Sequence, residues 1–337
     1  GRVALNGDPY PSGISTVFTN QYIENIMINH GMDDVRTNYS GSYHQTFMQE
    51  QFQGGILYYN YRGFYGGYGS YPAGNMGDGY DTPFVTTLTC GTGDYNGASD
   101  SDSEKFVRLG GTSDPKGAVG AVGMATTGTH TAYNNIVNMG IYDGIFSKKM
   151  WHAGAATANG DAAILATYPG VSAAEAFSKW SNLIGDPALH LWSGVPVNFV
   201  IDYSDVITLG TTTTDIIVFD ESGATVEGAR VTLLMGDDVI FTTGLTDGNG
   251  QITLSWDAVE SGTMDITVIK RNHRPYESSI EISDAAGVAV AVISSEINVN
   301  AGEETDFEIT LHNYGILSAN NVEAELVSQS EHVSISN

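Results

Sequence analysis

The chain has 337 residues, enough for two or three domains at the usual ~100–200 residues each. Its 13 Lys and Arg stand against 39 Asp and Glu, and the net charge of −26 argues against nucleic acid or an anionic membrane as partner. Only 15% of residues are charged, too few for a highly charged disordered tail, and 41 Gly and 18 Tyr give the neutral-polar, turn-rich character of a secreted or cell-surface protein. No apolar run approaches the ~18 residues of a membrane span. No signal peptide is evident, which reads as a mature or processed chain. A single cysteine, Cys90, excludes an intrachain disulfide framework.

Val3-Ala4-Leu5 is a short apolar run closed by Asn6-Gly7-Asp8. Ser15 and Thr16 can cap a helix that places Ile23, Ile26, Met27 and His30 on one face, with Gly31 as its stop. A β-like stretch over 35–39 and a short helical segment over 45–52 follow. Residues 56–61 and 84–89 are apolar runs closed by glycine, and 117–125 is a third, rich in small residues. Helical patterns occupy 133–146, 160–166 and 173–183. Alternating strand and helix signals with continuous apolar strands predict a parallel α/β sheet covered on both faces.

A composition break falls at Gly194-Val195-Pro196: residues 1–195 carry 9 basic and 16 acidic side chains, residues 196–337 carry 4 and 23. The expected boundaries are 1–195, 196–284 and 285–337. From about residue 197 the pattern becomes β-rich runs at 200–207, 215–219, 229–235, 239–243, 251–256 and 263–269, separated by turns such as Asp247-Gly248-Asn249-Gly250. That is a β-sandwich pattern. Runs at 288–293, 306–312 and 322–327 read as the start of a further β-sandwich.

In open parallel sheets active residues sit beyond the carboxyl ends of strands. Three such ends stand out: Arg62-Gly63-Phe64, Cys90-Gly91-Thr92-Gly93, and Gly128-Thr129-His130-Thr131. A thiol at a strand end, followed by a glycine turn, can be exposed while backbone N–H groups approach a substrate oxyanion, which makes Gly63 and Gly91 the turn and oxyanion candidates. The competing reading is a cysteine used as a small buried apolar side chain.

Asn60-Tyr61-Arg62-Gly63, Pro83-Phe84-Val85 running to Cys90-Gly91-Thr92-Gly93, Pro115-Lys116-Gly117-Ala118, 140–146 (GIYDGIF) and Gly185-Asp186-Pro187-Ala188-Leu189 occur in order. Together they resemble the gingipain family of secreted cysteine peptidases. The resemblance implies a caspase-like α/β domain over residues 1–195, here without the family's N-terminal subdomain, followed by an immunoglobulin-like sandwich over 196–284. It also implies Cys90 as nucleophile and a histidine directly after the Asn-Tyr-x-Gly strand end, where this sequence has Phe64.

That departure bears on the chemistry. A thiol of ordinary pKa, ~8.5, is mostly protonated at neutral pH, and an imidazole both generates the thiolate and protonates the leaving amine. Phenylalanine does neither, and losing a general acid/base removes ~10²–10⁴-fold in rate. His130, after the next strand, is the candidate substitute base. His30 and His44 read as surface or helix-face residues, and His152 and His190 as packing or hydrogen-bonding histidines.

Two further features carry alternatives. The tyrosines 58, 59, 61, 65, 68, 71 and 80 make either a recognition surface or a core strand with an ordered loop. Asp94, Asp100, Asp102 and Glu104 offer oxygen donors suited to a structural calcium ion, or a solvated acidic loop. The expectation is therefore an extracellular protein with an impaired peptidase domain that binds proteins or peptides, copies of itself in a surface assembly included. The alternative is an active cysteine endopeptidase using Cys90 and a non-standard base such as His130. Carbohydrate binding by the β domains is a third class.

Overall fold

The structure is a computed structural model describing residues 1–10, 12–64, 81–97, 99–237, 239–257, 260–284, 287–293, 300, 302–305, 309–325, 332 and 334–335. Backbone contacts divide the chain into two units, Gly1–Pro196 and Val197–Asn337.

In the first unit the chain order is β1 (Arg2–Gly7), α1 (Ser15–Asn29), β2 (Asp34–Asn38), α2 (His44–Gln53), β3 (Tyr58–Arg62), β4 (Phe84–Thr87) and α3 (Asp102–Arg108). There follow a small hairpin of β5 (Gly110–Gly111) and β6 (Asp114–Pro115), then β7 (Gly120–Met124) and α4 (Thr131–Tyr142), which runs into a π-helical turn over Asp143–Ser147. The unit closes with α5 (Ala153–Thr167), α6 (Ser172–Phe177) and β8 (Ser181–Ile184). The six strands are ordered β2-β1-β3-β4-β7-β8, all parallel except β8, which pairs antiparallel with β7.

Alternation along these strands builds a core on each face. Val3, Leu5, Tyr58, Phe84 and Val122 point to the side covered by α1, α4 and α5, with Ile23, Met27, Val137 and Ile141. Ala4, Tyr59, Tyr61, Val85 and Ala121 point to the other, under Met48 and Phe52 of α2 and Phe106 of α3. Each large side chain buried this way contributes roughly 1.5–3 kcal/mol. The apolar strands predicted from sequence are thus two-sided core strands, and Tyr58, Tyr59 and Tyr61 are core, not surface. Tyr65, Tyr68, Tyr71 and Tyr80 lie outside the described residues.

Two elements differ from the sequence expectation. The stretch 173–183 is not one helix: α6 ends at Phe177, and Ser181–Ile184 is an edge strand whose half-buried side chains carry no clean period. Ser15 and Thr16 do not cap α1. Its N-cap position is Ile14, and the Thr16 hydroxyl instead donates to the Asp8 carbonyl at 2.7 Å, tying the helix start to the end of β1.

In the second unit β9 (Phe199–Asp202), β11 (Thr213–Asp220) and β14 (Gln251–Ser255) form one sheet, ordered β14-β11-β9. A second sheet, ordered β10-β16-β15-β12-β13, contains β10 (Val206–Thr208), β12 (Arg230–Met235), β13 (Ile240–Leu245), β15 (Gly262–Ile269) and β16 (Tyr276–Ser283). Every second residue of β11, β12 and β15 is buried, and Ile216, Val218 and Leu254 of one sheet pack with Val231, Leu233, Ile266 and Ile280 of the other. This is an immunoglobulin-like sandwich. Within the same unit β17 (Val290–Ile293) pairs antiparallel with β18 (Thr310–Asn313) as a separate two-stranded sheet. Residues 322–325 carry no strand, and 326–327 lie outside the described residues. Among the described residues no helix is long and apolar enough to cross a membrane.

Candidate active site

Three strand ends converge at the carboxyl edge of the first sheet. β3 delivers Arg62-Gly63-Phe64, the turn after β4 delivers Thr89 and Cys90, the loop after β7 delivers Thr129, and the start of α4 delivers Thr131. With Ser12 and Asn134 these residues line a cavity of about 300 Å³. Cys90 is half-buried and its Sγ lies 3.1 Å from Thr129 Oγ1. Phe64 lines the same cavity and is 46% exposed. Thiol and phenyl ring thus line one cavity, and the hydroxyl against the thiol is an addition to the sequence reading.

Glycine is required at two places here. A Cβ on Gly63 would stand 2.5 Å from the Tyr61 hydroxyl and 2.6 Å from Asp8 Cβ. Gly91 has φ +70°, the left-handed region, so it makes the turn after Cys90. It does not serve as an oxyanion donor, because its N–H donates to the Thr126 carbonyl at 2.9 Å. The Thr92 and Gly93 N–H groups are likewise committed, to Thr89 O and Met124 O. Within 90–93 only the Cys90 N–H has no acceptor among the described residues.

His130 does not reach the thiol. It is the N-cap of α4, where its Nδ1 accepts from the Ala132 N–H at 3.2 Å and its ring leans on Tyr133 with centroids 5.6 Å apart. None of the five histidines of this unit lines the cavity. His152 and His190 face each other edge-on, centroids 4.3 Å apart. His30 closes α1, its ring bonded to the Ile26 carbonyl. His44 is buried rather than at the surface: Nδ1 meets Asn6 Oδ1 at 2.6 Å, and Nε2 lies 3.6 Å from Asp8 Oδ1 without a hydrogen-bond partner. Burial outweighs the Asp8 carboxylate and holds the His44 imidazole below its usual pKa, so it rests neutral.

The proposed calcium ligands do not converge. Asp100 pairs with Arg108 at 2.7 Å and Asp102 with Lys105 at 3.2 Å, while Asp94 accepts from the Asn96 N–H. Glu104 closes a capping box, its carboxylate accepting from the Ser101 N–H at 2.7 Å while its own N–H donates to Ser101 Oγ. Asp102 and Glu104 lie in the first turn of α3, and Asp100 and Asp102 pair with its Arg108 and Lys105. Among the described residues no three His, Cys, Asp or Glu side chains are placed to hold a metal ion.

Sequence reading passed over Arg62. It is 1% exposed, and it donates to Asn135 Oδ1 from Nε at 2.9 Å and from Nη2 at 2.7 Å, to Thr131 O at 3.3 Å, and to Leu88 O. No carboxylate pairs with it among the described residues. Burial lowers its pKa to about 10, while the nearby Tyr61 and Cys90 favour its charged form. It remains a cation at neutral pH, buried beside the thiol. A charged residue closing a buried, tyrosine-rich strand was the signal for it.

A six-stranded, mostly parallel sheet with helices on both faces and a thiol beyond its carboxyl ends defines a caspase-like cysteine-peptidase domain. Residues 5–192 match the model of peptidase family C25, and the chain belongs to that family, the gingipains. The chain is similar to the crystal structure of the Arg-specific cysteine proteinase gingipain R, with TM-score 0.64 and 20% identity, over 83% of this chain and 67% of that one. It is similar too to the complex of Porphyromonas gingivalis RgpB pro- and mature domains, with TM-score 0.65 and 18% identity, over 84% and 68% of the two chains. A search of curated protein sequences finds no match.

Proposed function

We propose that this chain is an extracellular gingipain-family protein whose peptidase domain has lost efficient hydrolysis and acts as a binding module for proteins or peptides in a surface assembly. The observation that carries this reading is the setting of Cys90. Its sulfur meets the Thr129 hydroxyl, and Phe64, at the position to which the family resemblance assigns the histidine, lines the same cavity. A threonine hydroxyl does not take a proton from a thiol at neutral pH, and a phenyl ring cannot give one to a leaving amine. The committed N–H of Gly91 removes one donor from the tetrahedral intermediate as well. The acidic, neutral-polar composition and the appended sandwich support the extracellular placement.

The test is a cleavage assay on a denatured, sequence-diverse protein mixture under reducing conditions, with products read by mass spectrometry for the full chain and its Cys90→Ala variant. Identical product lists are expected. Fragments that appear with the full chain and vanish with Cys90→Ala would overturn the reading in favour of an active endopeptidase. The retained thiol and the uncommitted Cys90 N–H support that second reading.

A further inference from the structure

We infer that the cavity beside Cys90 binds a peptide carboxylate, with Arg62 as its counter-ion and Asn134 as the acceptor for an adjacent amide N–H. This deepens, and rests on, the reading of the domain as a peptide- or protein-binding module. The first observation is charge. Arg62 is the only charged side chain among the described residues lining the cavity, and it is 1% exposed with no acid paired to it. A buried guanidinium without a counter-charge carries a desolvation penalty that its neutral acceptors, Asn135 Oδ1 and the Leu88 and Thr131 carbonyls, offset only in part. An arriving carboxylate supplies the missing charge. Nη1 has a single acceptor, so one of its two N–H bonds is uncommitted among the described residues.

The second observation is independent of charge. Asn134 also lines the cavity and is 3% exposed, and its Nδ2 donates to Thr129 Oγ1 at 3.1 Å. Its Oδ1 has no hydrogen-bond partner. A buried amide with one end idle is a place for a ligand donor. Ser12 and Thr131 on the same lining add hydroxyls that have no side-chain partner among the described residues. A carboxylate next to an N–H is the chemistry of a peptide C-terminus, or of an Asp or Glu side chain with its backbone amide. A basic side chain is excluded, because it would place a second cation beside Arg62.

The experiment measures protection of Cys90, which shares the cavity, against alkylation by iodoacetamide at about 0.15 M salt, where the field of the acidic protein is screened within ~8 Å. Four probes are used: acetyl-Ala-Ala-Ala with a free carboxylate, the same peptide as its amide, acetyl-Ala-Asp-Ala-amide, and acetyl-Ala-Lys-Ala-amide. Protection by the first assigns the site to chain ends, and by the third to acidic side chains, while the neutral amide and the lysine peptide leave the rate unchanged. Arg62→Gln weakens protection by roughly tenfold or more, as for a lost charge-assisted hydrogen bond. Should that variant unfold, Phe64→Glu is the second arm: it changes an exposed side chain, puts a carboxylate at the cavity, and abolishes protection. Equal protection by the neutral amide overturns the proposal. So does full protection in Phe64→Glu, or no protection by either carboxylate up to about 10 mM. Cleavage of the carboxylate probes alone would sink the non-hydrolytic reading yet leave the recognition standing, whereas no cleavage and no protection does the reverse.

Discussion

Cys90 Sγ and Thr129 Oγ1 lie 3.1 Å apart, so the thiol faces a hydroxyl where a cysteine peptidase needs an imidazole. The pair is a hydrogen bond between two weak acids, neither of which accepts a proton from the other at neutral pH. Phe64 is the position from which a base could be restored, since its side chain is already 46% exposed and shares the cavity. Phe64→His should raise hydrolysis of a fluorogenic peptide above the unmodified chain by about 10²-fold, the low end of general acid/base contributions. The gain should disappear when Cys90→Ala is added. A folded Phe64→His protein indistinguishable from its parent would mean that the committed Gly91 N–H, not the missing imidazole, limits the site.

The turn that presents Cys90 touches the sheet backbone directly. A Cβ on Gly93 would lie 2.6 Å from the carbonyl carbon of Gly123 on β7, and one on Gly123 would lie 2.6 Å from Gly93 N. These neighbours are backbone and cannot swing away, so Gly93→Ala must displace either the turn or the strand. Overpacking of this kind costs about 1–3 kcal/mol. Urea unfolding should show a lower midpoint at unchanged slope. A variant as stable as the parent would show that the turn and β7 are not in contact in solution.

The helix after the Cys90 turn starts on a reciprocal cap between Ser101 and Glu104. Ser101→Ala leaves the Glu104 N–H without its acceptor and should lower stability by about 1 kcal/mol. The comparison is Glu104→Gln, which keeps the return bond to the Ser101 N–H and should cost less. Added calcium should raise the thermal midpoint of neither variant, because these acids are spent on the cap and on Lys105 and Arg108. A calcium-dependent rise would show that they can rearrange around an ion.

Much of this arrangement was readable from residue order. The runs ending at Tyr61, Thr89 and Ala125 became β3, β4 and β7, and Cys90 and Phe64 fell on one cavity because parallel strands deliver their ends to one edge. What escaped depended on contacts between residues far apart in sequence. His44 looked like a helix-face residue, and only packing against Tyr61 and Asn6 buries it. The role of Arg62 depends on Asn135, seventy-three residues away. The cap at Ser101 was local and legible as Ser-x-x-Glu, but four acids in eleven residues read as an ion site or a solvated loop instead. His130 was placed in the right loop, yet its own helix takes its ring as a cap.

Asp161 gives the fold a pH dependence of definite sign. It sits half-buried on α5, where the Ser181 hydroxyl of the edge strand β8 donates to its carboxylate. Burial raises its pKa from 3.8 to about 6, more than the Ser181 bond lowers it. Below pH 3.8 the group is protonated both folded and unfolded, and its neutral form packs without penalty. Between that pH and about 6 the folded chain holds the proton more tightly than the unfolded one, so the contribution of Asp161 to stability falls as pH rises through this window. Above it the folded chain carries a partly buried carboxylate, and the loss is complete. Asp161→Asn removes the titration while keeping a similar shape. The stability of the parent relative to Asp161→Asn should therefore be greatest near pH 4, decline towards pH 6, and level off near pH 7, as followed by urea midpoints at each pH. A difference that stays constant across this range would show that Asp161 ionises at its ordinary pKa, and that water reaches it between α5 and β8.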